Sequence, residues 1–237
     1  MFDGRAVAIM QPYFLPYIGY WQLMRAVDAF VIYDDIEFTK KGWINRNRML
    51  SNGRDEVFTL PLKKDSDFLD VRDRYLADSF IDERQRIFRR FEAAYRKAPQ
   101  RESALELLQE CLLFEERNLF KFIHHSVVEI GKWLGMQTPI VVSSSLGVDR
   151  SLRGQDRVIA TCKALGASRY FNPIGGLELY DRKVFAEQGI DLSFQKVKPY
   201  EYRQFGAPFV SNLSIIDVLM FNDRDAVERL LCEMELV

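Results

Sequence analysis

Short apolar runs alternate with amphipathic segments near both ends of this chain, and this alternation constrains the fold more than any other feature. Runs of strand length at 6–10 and 29–33 flank a helical pattern at 21–27. Strands are predicted again at 139–142, 169–172 and 191–194, with helices at 155–165 and 181–188 between them. Strands that alternate with helices predict an α/β fold whose mostly parallel sheet is flanked by helices.

The middle and the end of the chain carry a helical pattern instead. Apolar residues recur at helical spacing from 80 to 135, with Pro99 as an interruption and Gly135 as the predicted C-cap. We therefore expect a helical insertion of two or three helices within a single α/β domain that spans 1–237. A polar loop and a strand at 57–62 precede this insertion, and helices at 215–221 and 226–234 close the chain.

Composition excludes several classes of protein. Lys+Arg (33) and Asp+Glu (34) nearly cancel, so the chain lacks the strong positive field that drives nonspecific nucleic-acid binding. The three cysteines lie far apart and the only histidines, His124 and His125, are adjacent, so we expect neither a disulfide framework nor a Cys/His zinc site. No apolar run of 18 residues and no signal-peptide pattern is present, which predicts a cytoplasmic protein without membrane insertion. A homodimer remains open.

The first strand-to-helix turn, residues 10–21, is the most unusual segment and reads MQPYFLPYIGYW. Ligands of α/β proteins bind at the carboxyl ends of the parallel strands, which is where this turn lies. We expect it to form the floor of a substrate site, with five of its residues contacting the substrate: Gln11, Tyr13, Tyr17, Gly19 and Tyr20. The alternative is that its rings and prolines form a rigid aromatic core.

A second polar segment follows the second strand. Asp34 and Asp35 are candidates for a general base, for binding a ribose hydroxyl or for binding magnesium. Four cations then fall within residues 40–48, interleaved with Trp43 and two asparagines. Such a set suits a nucleotide diphosphate, because arginine clamps phosphate and an aromatic ring stacks on a base. The predicted contacts are Lys40, Trp43, Asn45 and Arg46; the alternative is a solvated charged loop.

Three further loops are candidates. Asn172, Gly175 and Gly176 follow the strand at 169–172, and the glycines permit close approach of a ligand. Serines at 143–145, with arginines before the next helix, predict either a phosphate-contacting loop or a helix cap. The segment 195–217 contains Tyr202, which we expect to close over the substrate, and Asp217, which we expect to be buried beside an arginine.

Three segments together resemble the WbqC-like family, which is associated with O-antigen and other bacterial surface-glycan gene sets. They are Gln11-Pro12-Tyr13-Phe14-Leu15-Pro16-Tyr17-Ile18-Gly19-Tyr20, Tyr33-Asp34-Asp35 with Lys40-Lys41-Gly42-Trp43-Ile44-Asn45-Arg46-Asn47, and Asn212-Leu213-Ser214-Ile215-Ile216-Asp217-Val218-Leu219. Members are described as glycine transferases. The resemblance implies a transferase or amide ligase that joins an amino acid to a nucleotide-linked amino sugar.

The first turn also resembles, more distantly, that of the HIGH-type nucleotidylyltransferases and pantothenate synthetases. Those enzymes begin the following helix with a His-x-Gly-His pair, and Tyr17-Ile18-Gly19-Tyr20 occupies the matching position. The resemblance implies a Rossmann-like (HUP-type) sheet. Both histidine positions are tyrosine here, and a tyrosine hydroxyl carries no positive charge at neutral pH, which argues against adenylyl transfer.

The expected reaction is amide formation, with Asp34 or Asp35 as the base that deprotonates the sugar ammonium. The acyl donor is either an amino acid activated by ATP with magnesium or an aminoacyl-tRNA. Two other functions stay open, namely a nucleotidylyltransferase-like enzyme and a noncatalytic nucleotide-sugar binding protein.

Overall fold

The computed structural model describes residues 4–66, 68–206 and 208–237. The strands in this part of the chain are β1 (Ala6–Met10), β2 (Ala29–Ile32), β3 (Arg46–Ser51), β4 (Arg54–Thr59), β5 (Ile140–Val142), β6 (Arg169–Pro173), β7 (Asp191–Val197) and β8 (Met234–Leu236). The helices are α1 (Ile18–Arg25), α2 (Phe80–Ala94), α3 (Arg101–Leu113), α4 (Leu119–Trp133), α5 (Gly154–Ala164), α6 (Arg182–Glu187), α7 (Ile215–Phe221) and α8 (Arg224–Leu230).

Six of the strands form one sheet in the order β5-β2-β1-β6-β7-β8. The first five are parallel, and β8 runs antiparallel to β7. The chain therefore moves outward from β1 to β2 and β5, then returns to the other side of β1 with β6 and β7. This arrangement confirms the predicted Rossmann-like α/β fold and places a topological switch point between β1 and β6.

The central strands are apolar on both faces because helices cover both. Val7 and Val31 belong to a buried cluster with residues of α5, whereas Ala8 and Phe30 belong to the larger core that contains α1 and α4. Successive side chains of a strand point to opposite faces, so a strand covered on both sides reads as a continuous apolar run. This explains why β1 and β2 are recognisable from sequence.

Helices α2, α3 and α4 fill the interval that the sequence predicted to be helical. Phe91, Leu108 and Phe122 are fully buried and belong to the same core as Trp21 of α1. In none of the three described ranges is a helix long and apolar enough to cross a membrane.

Part of the predicted loop at 33–48 and the predicted strand at 57–62 are in fact a hairpin outside the main sheet. Strands β3 and β4 pair antiparallel, with Ser51 opposite Arg54. The two residues between them, Asn52 and Gly53, have φ angles of 51° and 76°. An Asn-Gly pair with positive φ at both positions is the preferred two-residue turn of a hairpin, and this signal was missed.

Two helix boundaries also differ from expectation. Helix α1 begins at Ile18, three residues before the predicted start at 21. The predicted helix at 226–234 is wrong at its end, because α8 stops at Leu230 and β8 follows. Met234 pairs with Val197 of β7, and such a contact between residues distant in sequence leaves no local pattern.

Candidate functional site

A cleft of about 510 Å³ lies at the switch point, at the carboxyl ends of β1 and β6. Its wall is formed by the turn after β1, the loop after β2, the loop before β3 and the turn after β6. Ligands of open α/β sheets bind at this position. The lining residues are Ile9, Met10, Gln11, Pro12, Tyr13, Tyr17, Tyr20, Tyr33, Ile36, Glu37, Gly42, Trp43, Ile44, Asn172, Pro173, Gly175, Gly176, Leu179 and Tyr180.

The cleft brings together most of the residues predicted for substrate binding, although they come from three separate segments. Those that line it are Gln11, Tyr13, Tyr17, Tyr20, Trp43, Asn172, Gly175 and Gly176. The remaining predicted site residues lie outside the lining: Gly19, Asp34, Asp35, Lys40, Asn45, Arg46 and Tyr202. Whether any of these residues contacts a substrate stays a prediction.

Aromatic rings form much of the cleft wall. The ring centroids of Tyr13 and Trp43 are 6.5 Å apart, and Trp43 is 40% exposed. Tyr20 is buried, with its ring 4.9 Å from that of Phe30, and its hydroxyl lies 3.5 Å from the carbonyl oxygen of Gln11. The turn is therefore both a packed aromatic core and a surface of the cleft.

Two glycines allow polar or aromatic side chains of the cleft to take their positions. A Cβ atom on Gly19 would lie 2.6 Å from Cζ and Oη of Tyr17, so the absence of a side chain there leaves room for the Tyr17 ring. A Cβ atom on Gly176 would overlap Nδ2 of Asn172. Gly19 is thus placed to act through Tyr17, although the sequence predicted that it would contact the ligand directly.

The turn itself is held by an asparagine of β3. Asn47 is fully buried, and its Nδ2 donates to the carbonyl oxygen of Phe14 at 3.0 Å and to that of Leu15. Leu15 has a φ of 50°, a left-handed conformation that is uncommon for a large side chain. The side-chain amide of Asn45 likewise binds a backbone group, because it donates to the carbonyl oxygen of Leu60 at 2.8 Å. Sequence reasoning placed Asn45 at the substrate and assigned Asn47 no separate role.

Among the described residues, Glu37 is the only charged one in the lining of the cleft. It is exposed, and sequence reasoning missed it because a single glutamate in a loop gives no signal. The tyrosines around the cleft remain neutral phenols at physiological pH, since burial raises the pKa of Tyr17 and Tyr180 and raises that of Tyr33 to about 12.

Two arginines of β3 lie beside the cleft on Trp43. The guanidinium carbons of Arg46 and Arg48 are 5.0 and 5.3 Å from the centre of the Trp43 ring. Arg46 also donates to the carbonyl oxygens of Gly42, at 2.8 Å, and of Lys41, which holds the loop that carries Trp43.

These arginines keep hydrogen-bonding capacity. Arg48 donates to Asp55 at 3.2 Å and to the carbonyl oxygen of Asn212 at 3.3 Å. A guanidinium group has five N–H donors. Within the part of the chain that the structure describes, the guanidinium group of each arginine donates two hydrogen bonds to protein acceptors. The two cations at this edge of the cleft therefore have donors left for an anion.

Asp34 and Asp35 are buried behind the cleft, in a network that joins the ends of β2 and β5. Asp34 accepts hydrogen bonds from the backbone N–H of Ser144 at 2.9 Å and from its hydroxyl at 2.7 Å. Asp35 pairs with Arg157 at 2.6 Å, and the Ser143 hydroxyl lies within reach of both carboxylates. Two of the three serines predicted to contact phosphate, Ser143 and Ser144, thus donate to these carboxylates. The assignment of either aspartate as a base stays a prediction.

Tyr202 lies on Asp217 rather than in the cleft lining. Asp217 is fully buried and accepts hydrogen bonds from the hydroxyls of Tyr95, at 2.7 Å, and Tyr202, and from Gln204 at 3.0 Å. The prediction of an arginine partner is wrong, since these neutral groups take its place. Burial raises the pKa of the Asp217 carboxyl group. Ser214 caps α7 by accepting a hydrogen bond from the N–H of Ile216.

No group of three or more His, Cys, Asp or Glu side chains positioned to hold a metal ion occurs within 4–66, 68–206 and 208–237.

Comparison with known proteins gives one family and one distant relative. The model of the WbqC-like protein family matches residues 11–229. An uncharacterized protein of Mycobacterium tuberculosis is 27% identical over 220 residues, which cover 92% of this chain and 94% of that protein. No solved structure matches the chain.

Proposed function

The chain belongs to the WbqC-like protein family, and from this premise we propose that it joins an amino acid, such as glycine, to a nucleotide-linked amino sugar through an amide bond. In this proposal the product serves the assembly of bacterial surface polysaccharide. One observation carries it, namely the switch-point cleft lined by aromatic rings, with a carboxylate in its lining and two arginines on its edge.

The size and lining of the cleft suit a sugar. Its volume of about 510 Å³ falls within the usual range for small-molecule sites. Tyrosine and tryptophan rings offer apolar faces on which a sugar or a base stacks. The amide groups of Gln11 and Asn172 supply hydrogen bonds for sugar hydroxyls.

The arginine edge suits the diphosphate of a nucleotide carrier. Arg46 and Arg48 lie about 5 Å from the Trp43 ring, and that ring lines the cleft. A sugar in the cleft therefore has its phosphates within reach of two guanidinium groups, which bind phosphate oxygens through paired hydrogen bonds. Lys40 is exposed on the same loop.

The proposed chemistry is acyl transfer to an amine. The amine nitrogen forms a bond to the acyl carbon, the bond from that carbon to the leaving oxygen breaks, and the nitrogen releases its extra protons to a base and to the solvent. The donor is an aminoacyl-tRNA or an aminoacyl adenylate. The adenylate forms when the amino-acid carboxylate attacks the α-phosphorus of ATP, with magnesium present, and pyrophosphate leaves; in the transfer step the free tRNA or AMP leaves with the oxygen. Tyr17 and Tyr20 carry no positive charge, which disfavours adenylyl transfer and makes aminoacyl-tRNA the donor that fits these residues better.

The test combines a UDP- or dTDP-linked amino sugar with glycine, and compares ATP and magnesium with glycyl-tRNA as the source of activation. A new amide product detected by mass spectrometry, with one donor or the other, supports the proposal. Arg46→Ala should weaken binding of the nucleotide sugar by about 1.5–3 kcal/mol, the usual contribution of a charged hydrogen bond. Arg54→Ala is a matched control, because Arg54 is exposed on the same hairpin away from the cleft lining.

The role of Asp34 is tested separately. Asp34→Asn should keep the affinity for the nucleotide sugar and abolish turnover if this carboxylate is the base. A folded and fully active variant would remove Asp34 from the mechanism.

A noncatalytic sugar-binding function is the second candidate. One observation favours it: both aspartates proposed as bases are buried and lie outside the lining of the cleft. Asp34 already accepts a hydrogen bond from Ser144, and Asp35 already pairs with Arg157. Tight binding of the nucleotide sugar without any amide product from either donor would support this candidate.

A further inference from the structure

Glu37 occupies a fixed backbone position although its side chain is exposed. On either side of it, Val71 donates to the carbonyl oxygen of Ile36 at 2.8 Å, and Phe38 donates to that of Leu69 at 3.0 Å. The backbone of Glu37 also forms a bridge with Asp70. A segment held by backbone hydrogen bonds therefore places Glu37 in the lining of the cleft.

The Glu37 carboxylate has no salt-bridge partner within 4–66, 68–206 and 208–237. Among the residues that the structure describes, no cationic atom lies within 4.0 Å of it. Two neighbouring carboxylates do have salt-bridge partners: Asp35 pairs with Arg157, and Asp70 pairs with Arg150. Of these three carboxylic residues, Glu37 is the one that lines the cleft and has no salt-bridge partner among the described residues.

The rest of the lining is neutral and aromatic. Tyr13, Tyr17, Tyr33 and Tyr180 stay protonated, because burial raises the pKa of each phenol. The face of an aromatic ring attracts cations through its quadrupole. A carboxylate among tyrosine rings therefore forms a site that favours a positive charge over a neutral group.

Arg46 and Arg48 place positive charge at the edge of the cleft, beside Trp43. They already lie over the Trp43 ring, so the tyrosine faces are those left for a ligand's cation. A ligand with phosphates at one end and a cation at the other matches a cleft with two guanidinium groups on its edge and a carboxylate in its lining.

We propose that the cleft binds the amine of its substrate as an ammonium ion, with Glu37 as the counter-ion and the tyrosine rings around it. The substrate class is thus a primary amine with a free positive charge, and acylated amines bind more weakly. This inference rests on the proposed function in taking the amine to belong to a carrier-linked sugar. It assigns to Glu37 the contact with the nitrogen, which the sequence had assigned to Asp34 or Asp35.

The experiment compares ligands that differ only at the nitrogen. Isothermal titration calorimetry on the full chain uses UDP-glucosamine, UDP-N-acetylglucosamine and UDP-glucose, together with free glucosamine and free glucose. We expect UDP-glucosamine to bind about tenfold more tightly than the two neutral ligands, as a charged hydrogen bond provides. Glu37→Gln should remove this preference without changing the affinity for UDP-glucose.

Glu106→Gln is the matched control, because Glu106 is an exposed glutamate on α3 outside the cleft. It should keep the full preference. Equal binding of the charged and neutral UDP-sugars by the wild type would overturn the ammonium site and leave nucleotide-sugar binding intact. A preference that persists in Glu37→Gln would also overturn it.

The free sugars separate the two proposals. Binding of glucosamine but not glucose, lost in Glu37→Gln, together with no binding of any UDP- or dTDP-linked sugar, would support the ammonium site and contradict the nucleotide-sugar function. No binding of any of these ligands would contradict both.

Discussion

Replacement of Gly19 by alanine should disturb the cleft while leaving the fold stable. The new Cβ atom would lie 2.6 Å from Cζ and Oη of Tyr17, whereas carbon atoms in contact normally lie about 3.5–4.0 Å apart. The Tyr17 ring must therefore move by about 1 Å or rotate away. Only the end of a side chain has to move, so the backbone of the turn can keep its position.

The size of both effects follows from the structure. Gly19 lies in the first turn of α1 and has no positive φ, so alanine fits its backbone and stabilises the helix by up to about 1 kcal/mol. Loss of the Tyr17 ring from the cleft removes an aromatic contact of about 0.5–1.5 kcal/mol. Affinity for a nucleotide-linked amino sugar should then fall about two- to tenfold while the free energy of unfolding stays level or rises.

The assay is calorimetric titration combined with urea unfolding. Gly131→Ala is the matched control, since Gly131 is a buried helical glycine whose added Cβ would meet Trp21 at 3.8 Å, an ordinary contact. This control should keep its affinity. Tyr17→Ala should lose the same affinity as Gly19→Ala, and the double variant should lose no more, because both substitutions act through one ring.

Two results would refute this reasoning. Gly19→Ala that binds as well as the wild type would show that the Tyr17 ring does not contribute to the site. Additive losses in the double variant would show that Gly19 acts by another route.

Three further predictions concern other parts of the site and its support. Gly176→Ala should displace the Asn172 amide and weaken sugar binding about two- to tenfold in the same titration, and unchanged affinity would contradict this. Burial raises the pKa of Asp217. The stability that this group contributes to the folded state is therefore complete below its unfolded pKa and is lost as pH rises through the folded pKa. The stability of the wild type relative to Asp217→Asn, from urea unfolding, should therefore fall from about pH 4 towards neutrality, and a rise would contradict this. Arg157→Ala removes the nearer of the two cations beside buried Asp35, since Arg150 lies at 4.0 Å, and should lower the free energy of unfolding by about 3 kcal/mol; a loss below about 1 kcal/mol would show that the pair is dispensable.

The parallel sheet was predictable because its signal is local. Strands β1 and β2 are buried on both faces, so each appears in the sequence as an unbroken apolar run. Once the strands are known, their carboxyl ends must share one edge, which brings Gln11 and Asn172 into one cleft although 161 residues separate them. The location of the site follows from topology alone.

The hairpin and the edge strand were missed for different physical reasons. Of the six residues of β3, only Met49 and Leu50 are apolar, and the cations around them favoured a loop. Only the Asn52-Gly53 turn indicated a hairpin. Strand β8 is defined by its pairing with β7, and pairing to an edge depends on residues remote in sequence.

The environment of individual side chains was the hardest property to predict. Asp34 accepts hydrogen bonds from Ser143 and Ser144, which lie more than 100 residues later in the chain. Asn47 supports the first turn, which lies more than 30 residues earlier, and the sequence does not distinguish its amide from that of Asn45. Nothing in the sequence distinguishes Glu37 from other glutamates, and only its position in the lining of the cleft indicates a role.

A crystal structure of the protein with a bound UDP- or dTDP-linked amino sugar tests the central claim most directly. The account predicts the sugar among the rings of Tyr13, Tyr17 and Tyr33, its nitrogen within hydrogen-bond distance of Glu37, and its diphosphate beside Arg46 or Arg48. A ligand bound elsewhere on the protein, or a sugar in the cleft with its nitrogen directed to solvent, would contradict the account.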